Sequence, residues 1–284
     1  PDTDAALLIV RVAFTEGDDH RYAVPLLRAH GRIANTITAD SSGAIVAHLD
    51  DGGLLVDAMA HPDGAYSVVA AALSRRSATG RHGTLRGLPR RTRAAAPLGS
   101  AHDVHLLGVE QSNSSVMVGN DYIAKLVRRL EPGPNPDVEL VGHLAARGFE
   151  HVPGLVATAQ VSLVDETLPA DVIVVHDAVA NDGDLWGWML DELAIEIEQT
   201  GTLDVEEGSS RWLAELLGRR TAELHVALAE PGHDRSMAPQ GFTLLWQRSL
   251  LQSLRNGLRA TQRAVRRAQL DTDAVATLLR PVDD

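Results

Sequence analysis

The sequence contains no cysteine, so disulfides and thiolate metal sites are excluded, and a cytoplasmic location is the expectation. Lysine is nearly missing as well. Of 26 basic residues one is a lysine, Lys125, and the other 25 are arginine. Where a charge only needs to be solvated, arginine serves. A compact ammonium is harder to replace where it must sit as a point charge among phosphate oxygens. Long apolar runs are also absent. The longest, Ala65 to Leu73, is too short to span a bilayer and contains Tyr66 and Ser67. A net charge of −12 argues against nucleic acid or an anionic membrane as the main partner. What remains is a chain of 284 residues, 44% hydrophobic and 23% charged, enough for about two globular domains.

Strand signals fill the first part of the chain. Leu8, Val10, Val12 and Phe14 alternate along Leu7 to Thr15, and Glu16-Gly17-Asp18-Asp19 turns the chain into a second strand from His20 to Leu26. Ala44 to Leu49 and Leu54 to Met59 flank the turn Asp50-Asp51-Gly52-Gly53, and Pro62-Asp63 opens a short helix through Leu73. From Ser74 to Ala101 come seven arginines and no acid, a pattern that reads as a solvated connector with one strand near Thr84 to Leu88. Residues 1–100 are therefore expected to form a small cap module with an Arg-rich connector.

Residues 101–178 read as a second module. Val104 to Val109 is a strand, Gln111 to Ser115 a polar loop, and Val116 to Val118 with Tyr122 to Val127 a hairpin about Gly119-Asn120-Asp121. Asn135 can cap a helix whose first position is Pro136 and which should stop at Arg147-Gly148. Strands follow at Leu155 to Leu163 and Val172 to His176. After Val179 the pattern turns helical. Asp184 caps a helix to about Gln199, Ser209 or Ser210 another to Ala229, and Gly241 to Leu270 and Thr272 to Leu279 carry further helical periodicity. Residues 179–284 are expected to be all-helical.

Chemistry concentrates between Val109 and Glu139. The order is strand, polar loop, strand, turn, strand with one lysine, Pro-rich loop, helix with an early glutamate. Eukaryotic-type kinase folds bind ATP with this order: a loop between two strands closes over the phosphates, the strand lysine reaches them, and a helix carboxylate holds the lysine. Lys125 and Glu139 stand in those places. Each residue also has an ordinary explanation, an edge-strand lysine that discourages aggregation and an acid favoured by the helix dipole; the combination weakens both. No Walker motif occurs, and no Gly-x-Gly-x-x-Gly loop. Ser112, Asn113, Ser114 and Ser115 occupy the position of that loop, where short polar groups and backbone N–H groups can still take phosphate oxygens. Twelve histidines offer no His-x-x-x-His pair on a helix, so no protein metal site is expected from them.

Three stretches carry a specific resemblance: Glu110-Gln111-Ser112-Asn113-Ser114-Ser115, Ile123-Ala124-Lys125-Leu126-Val127-Arg128-Arg129-Leu130, and Asn135-Pro136-Asp137-Val138-Glu139-Leu140. Together with Arg147-Gly148-Phe149-Glu150-His151-Val152-Pro153 they resemble the actinobacterial maltokinases and the maltokinase-like glucosamine kinases, which are similar in fold to aminoglycoside phosphotransferases. The resemblance implies an α+β, bilobal, eukaryotic-type kinase fold with an N-terminal cap module, an ATP-binding N-lobe and the first part of a C-lobe. It implies ATP and Mg²⁺ as cofactors and a free sugar as the acceptor, either glucosamine or maltose. It also implies that Lys125 contacts the phosphates, that Glu139 orients it, that Ser112 to Ser115 form the phosphate loop, and that Val174 to Val179 link the lobes. In that linker His176, Asp177 and Val179 stand where adenine or ribose would be met.

One departure is serious. The family's catalytic His-Gly-Asp-x-His-x-x-Gln loop and its Asp-Phe-Glu magnesium motif do not occur in the sequence. The chain is therefore expected to be a fragment, inactive alone, with the catalytic residues beyond Asp284. Two rival readings predict other behaviour. A kinase-like binding or regulatory module transfers nothing, and an aminoglycoside-modifying enzyme responds to aminoglycosides instead of simple sugars.

Overall fold

The computed structural model describes residues 5–90, 101–110, 113–199, 208–230 and 237–267. The chain divides into two compact units, Pro1–Leu228 and Ala229–Asp284. The first is a mixed α and β structure whose strand ladders are all antiparallel.

The first unit opens with strands β1 (Ala5–Val12) and β2 (His20–Ala29), paired in the expected hairpin with Val12 opposite His20. Helix α1 (Gly31–Asp40) follows, then β3 (Ile45–His48), β4 (Leu54–Asp57) and helix α2 (Pro62–Leu73). Sequence reasoning missed α1, because its Thr, Ile and Asn residues are poor helix formers. It forms by burying Ala34 and Ile37, one turn apart, against Leu27, Leu54 and Val56. Helix α2 runs over the expected span. His61 is its N-cap, the Nδ1 atom accepting from the backbone N–H of Asp63, and Pro62 sits at the first position.

The remaining strands are β5 (Ser77–Thr79), β6 (Gly83–Pro89), β7 (Val104–Glu110), β8 (Asn113–Val118), β9 (Tyr122–Val127), β10 (Arg129–Leu130), β11 (Leu155–Leu163) and β12 (Ala170–Asp177). Helix α3 (Pro136–Ala146) lies between β10 and β11. Two sheets result. The smaller has the order β1-β2-β4-β3, with β10 also pairing with β2. The larger has the order β5-β6-β11-β12-β9-β8-β7. The boundary expected at residue 100 does not divide the sheets, for β5 and β6 lie before it and join the larger sheet through β11. Similarly β10, to which the sequence reading assigns no element, ties the second module back to the first.

Helix α2 packs on the larger sheet against β6, β11 and β12, and one apolar core fills this layer. Val69 and Ala72 of α2 share this core with Val116, Ala124, Ala157 and Val175, all buried. Gly87 of β6 shows how close the approach is. A Cβ at Gly87 would stand 2.2 Å from the carbonyl oxygen of Ala71 and 2.1 Å from that of Ser74, so no larger residue fits.

Among the described residues no strand follows Asp177, as the sequence pattern predicts. Helix α4 (Leu185–Gln199) is capped by Asp184, whose Oδ1 accepts from the N–H of Gly187 at 2.8 Å. Helix α5 (Ser210–Ala229) begins after Ser209, whose hydroxyl accepts from the N–H of Trp212. Trp186 is 75% exposed. The second unit contains α6 (Leu244–Arg267), and Leu245, Leu251 and Leu254 on it are exposed. The short helix expected at Thr272 to Leu279 lies outside the described residues.

Candidate functional site

Lys125 is in the middle of β9, between β8 and β12. Burial alternates along β9. Tyr122, Ala124 and Leu126 enter the α2 core, while Ile123, Lys125 and Val127 take the other face. The period-2 geometry of a strand thus lifts the ammonium clear of the apolar layer. Residues directly opposite in an antiparallel ladder share a face. The register Leu88, Thr158, Val174, Lys125, Ser115 therefore forms one row across five strands. His176 lies one step along the same face, opposite Ile123.

The partner of Lys125 comes from α3. Its Nζ donates to Oδ2 of Asp137 at 3.0 Å, with both side chains partly exposed. The sequence points to Glu139 for this role, and here the structure corrects it: among the described residues no ion pair joins Glu139 to Lys125. Two residues of an α-helix are about 200° apart around the axis, so Asp137 and Glu139 cannot both face the same strand. The helix start decides between them. Oδ1 of Asn135 accepts from the N–H of Asp137 at 2.9 Å, which fixes α3 with Asp137 toward the sheet. Asp137 and Glu139 both lie in the first turn, so both gain from the helix dipole.

The position of Asn135 is itself set from below. Asp171 of β12 is only 3% exposed, and its Oδ2 accepts from the backbone N–H of Asn135 at 2.9 Å. Its Oδ1 accepts from Nε2 of Gln160 on β11 at 3.0 Å. Sequence reasoning passed over Asp137, Thr158 and Asp171. For Asp171 a signal existed: an acid at the head of the apolar run Ala170 to Val175, the same kind of interruption that singles out Lys125.

The serine-rich segment differs from its expected form. Asn113, Ser114 and Ser115 are not a loop but the start of β8, paired with Val127, Leu126 and Lys125. Alternation puts Ser115 on the face of Lys125 and turns Ser114 inward. The Ser114 hydroxyl is buried and accepts from Arg128 Nε at 3.1 Å and Nη2 at 2.9 Å, so it serves the interior. Ser112 lies outside the described residues.

The expected linker is also shorter than its sequence range. Val174 to Asp177 belong to β12, hydrogen-bonded on both sides by β11 and β9, and the irregular connection begins only at Ala178. Val179 is exposed, and its carbonyl accepts from Nδ2 of Asn181. Asp177 is held through its N–H to the carbonyl of Gly154, and Ala178 through its N–H to that of Asp121. His176 is the residue of this group that faces the lysine. Burial lowers its pKa below the usual imidazole value, with Lys125 acting the same way and Asp137 and Asp177 opposing.

Among the described residues, two polar atoms on this face are buried without a hydrogen-bond partner, the Nδ1 of His176 and the Oγ1 of Thr158. Both atoms are closed off from solvent, while the ammonium of Lys125 and its partner Asp137 are partly exposed and open to a polar ligand. Among the described residues no group of three or more His, Asp or Glu is placed to hold a metal ion. No described helix is long and apolar enough to cross a membrane.

No family model matches the chain. Solved structures are similar to it at low identity, among them three of glucosamine kinase. A glucosamine kinase in complex with glucosamine, ADP and inorganic phosphate is 23% identical, with a TM-score of 0.44 over 79% of this chain and 46% of that one. Two other crystal forms of glucosamine kinase, A and B, are 19% and 22% identical, with TM-scores of 0.41 and 0.43. They too cover 79% of this chain, and 45% and 44% of their own. The chain thus spans less than half the length of these three structures.

Proposed function

We propose that this chain is the ATP-binding part of a kinase that phosphorylates a free sugar hydroxyl. One observation carries the reading: the only lysine of the sequence stands on a central strand, on the sheet face away from the core, and is held by a carboxylate from the first turn of the next helix. A strand lysine fixed by a helix acid is how kinases of the eukaryotic type place a cation against nucleotide phosphates. The motifs around it, from Glu110 to Pro153, are those in which the sequence resembles maltokinases and glucosamine kinases.

In this reading Lys125 contacts the phosphates and Asp137 fixes its direction. Ser115 and Asn113 border the same face, and His176 with the start of the connection at Ala178 lies on the nucleoside side. ATP supplies the transferable phosphoryl group. The chain's own residues bind and orient it, and among the described residues no group of three or more His, Asp or Glu is placed to hold magnesium. The acceptors to test are glucosamine, giving glucosamine 6-phosphate, and maltose, giving maltose 1-phosphate.

The test is a titration of this chain with a fluorescent ATP analogue, repeated with Lys125→Ala. Saturable binding that ATP displaces and the substitution weakens supports the reading. Binding that is absent, or indifferent to Lys125, refutes it. Binding without phosphoryl transfer in any longer protein that contains this chain favours the alternative, a kinase-like nucleotide-binding module.

A further inference from the structure

We propose that Asp171 is the positioning residue of this site, acting on Lys125 through Asn135 and Asp137. Four hydrogen bonds connect these residues. Asp171 Oδ2 accepts from the Asn135 N–H at 2.9 Å, and Asn135 Oδ1 accepts from the Asp137 N–H at 2.9 Å. Asp137 Oδ2 then accepts from Lys125 Nζ at 3.0 Å, while Gln160 Nε2 donates to the second oxygen of Asp171 at 3.0 Å. The relay starts at a carboxylate that is 3% exposed and ends at an ammonium whose side chain is 29% exposed.

A carboxylate suits this place for two reasons. It accepts from two donors at once, one on each oxygen, where an amide would have to present a donor to one of them. Its charge also lies beside the start of α3, where the unpaired N–H groups favour an anion. Burying a charge is costly unless it is bonded, and Asp171 is bonded to the two groups that fix the helix start and its neighbouring strand. The loop before α3 has an independent anchor. Gly133 forms a bridge with Ala170, and its N–H donates to the Pro169 carbonyl at 2.9 Å. Removal of the Asp171 side chain should therefore release the cap of α3 without detaching the loop.

The sequence supplies an unusual assay. Lys125 is the one side-chain amine in the chain, so an amine-acylating reagent followed by peptide mass analysis reads its pairing directly, with no nucleotide present. Asp137→Asn should speed acylation of Lys125 by roughly two- to fivefold, the range set by a partly exposed ion pair. Asp171→Ala should speed it by the same factor, and the double variant should be no faster than Asp137→Asn alone. Asp171→Asn, with the Gln160 amide turned to accept, should stay near the parent rate. An unchanged rate in folded Asp171→Ala, or factors that multiply in the double variant, would overturn the relay. If Asp171→Ala fails to fold, Asn135→Gly reads the same relay at its middle. It keeps the N–H on Asp171 and removes the acceptor that holds Asp137, and an unchanged rate there also overturns the proposal.

The bearing of this relay on catalysis rests on the kinase reading, and ATP separates the two. Protection of Lys125 from acylation by millimolar ATP supports the kinase reading whatever Asp171 does. A relay that behaves as expected in a chain that ATP does not protect leaves Asp171 in place and removes the kinase.

Discussion

Lys125 and Asp137 meet at 3.0 Å across the gap between a central strand and the helix that follows it. They are 12 residues apart, separated by a short strand and a Pro-rich loop, so the pair holds only if that loop is held. Under the proposed function, Lys125→Ala should lower kcat/KM by about two orders of magnitude in an enzyme that contains this chain. Lys125→Arg should not restore it, because a planar guanidinium cannot replace a point charge between a carboxylate and phosphate oxygens. Steady-state kinetics of the two variants check this, and an arginine variant with parental activity would contradict it.

Asp137 and Glu139 make opposite predictions. Asp137→Asn should weaken nucleotide binding by roughly two- to tenfold, the effect of losing one partly exposed charge partner. Glu139→Gln should leave binding unchanged, since Glu139 makes no ion pair with Lys125. Parallel titrations with one ATP analogue decide the matter. The reverse ranking would mean that the helix turns about its axis when nucleotide binds.

How much of this was legible beforehand follows from which forces set each feature. Lys125 was legible because a charge inside an apolar strand is conspicuous, and the helix from Pro136 because Asn135 and Gly148 punctuate it. The choice of Asp137 over Glu139 was not, since both acids lie in the first turn and only the rotation of α3 separates them. That rotation depends on Asp171, which is 36 residues from Asn135 and on another element. The serine-rich segment misleads for a different reason: the residues from Asn113 to Ser115 look like a loop, yet β7 and β9 recruit them into a sheet, where one serine turns outward and the other inward. Helix α1 was hidden because its propensity is poor and its stability comes from Ala34 and Ile37 packing.

His176 should make stability depend on pH. Burial lowers its pKa, so the folded state binds the proton less well than the unfolded chain does. Its contribution is complete above the ordinary value of about 6.5 and is lost as pH falls through the lowered value. His176→Gln should flatten this part of the profile. Thermal unfolding followed from neutral to mildly acidic pH checks the slope. Equal slopes in parent and variant would show that the imidazole finds water or a partner in the folded chain.

Arg128 offers a control for the site, because it stabilises the same strands from the opposite side. Its guanidinium donates to Ser114 Oγ and forms a 2.7 Å ion pair with Asp57, joining β8 of the larger sheet to the end of β4 in the smaller. Its carbonyl accepts from the N–H of Ala23 in β2. Arg128→Ala leaves a buried hydroxyl and a half-buried carboxylate without this donor, a loss of about 1–3 kcal/mol. Arg128→Lys should recover only part of it, since one ammonium cannot reproduce a fork that spans two acceptors. The Lys125 side chain takes the other face, so its acylation rate should not change in either variant. Denaturant unfolding together with acylation separates the two effects: lower stability at a constant labelling rate is expected, and a faster rate would mean that the strand pairing of Ser115 with Lys125 depends on the Arg128 anchor.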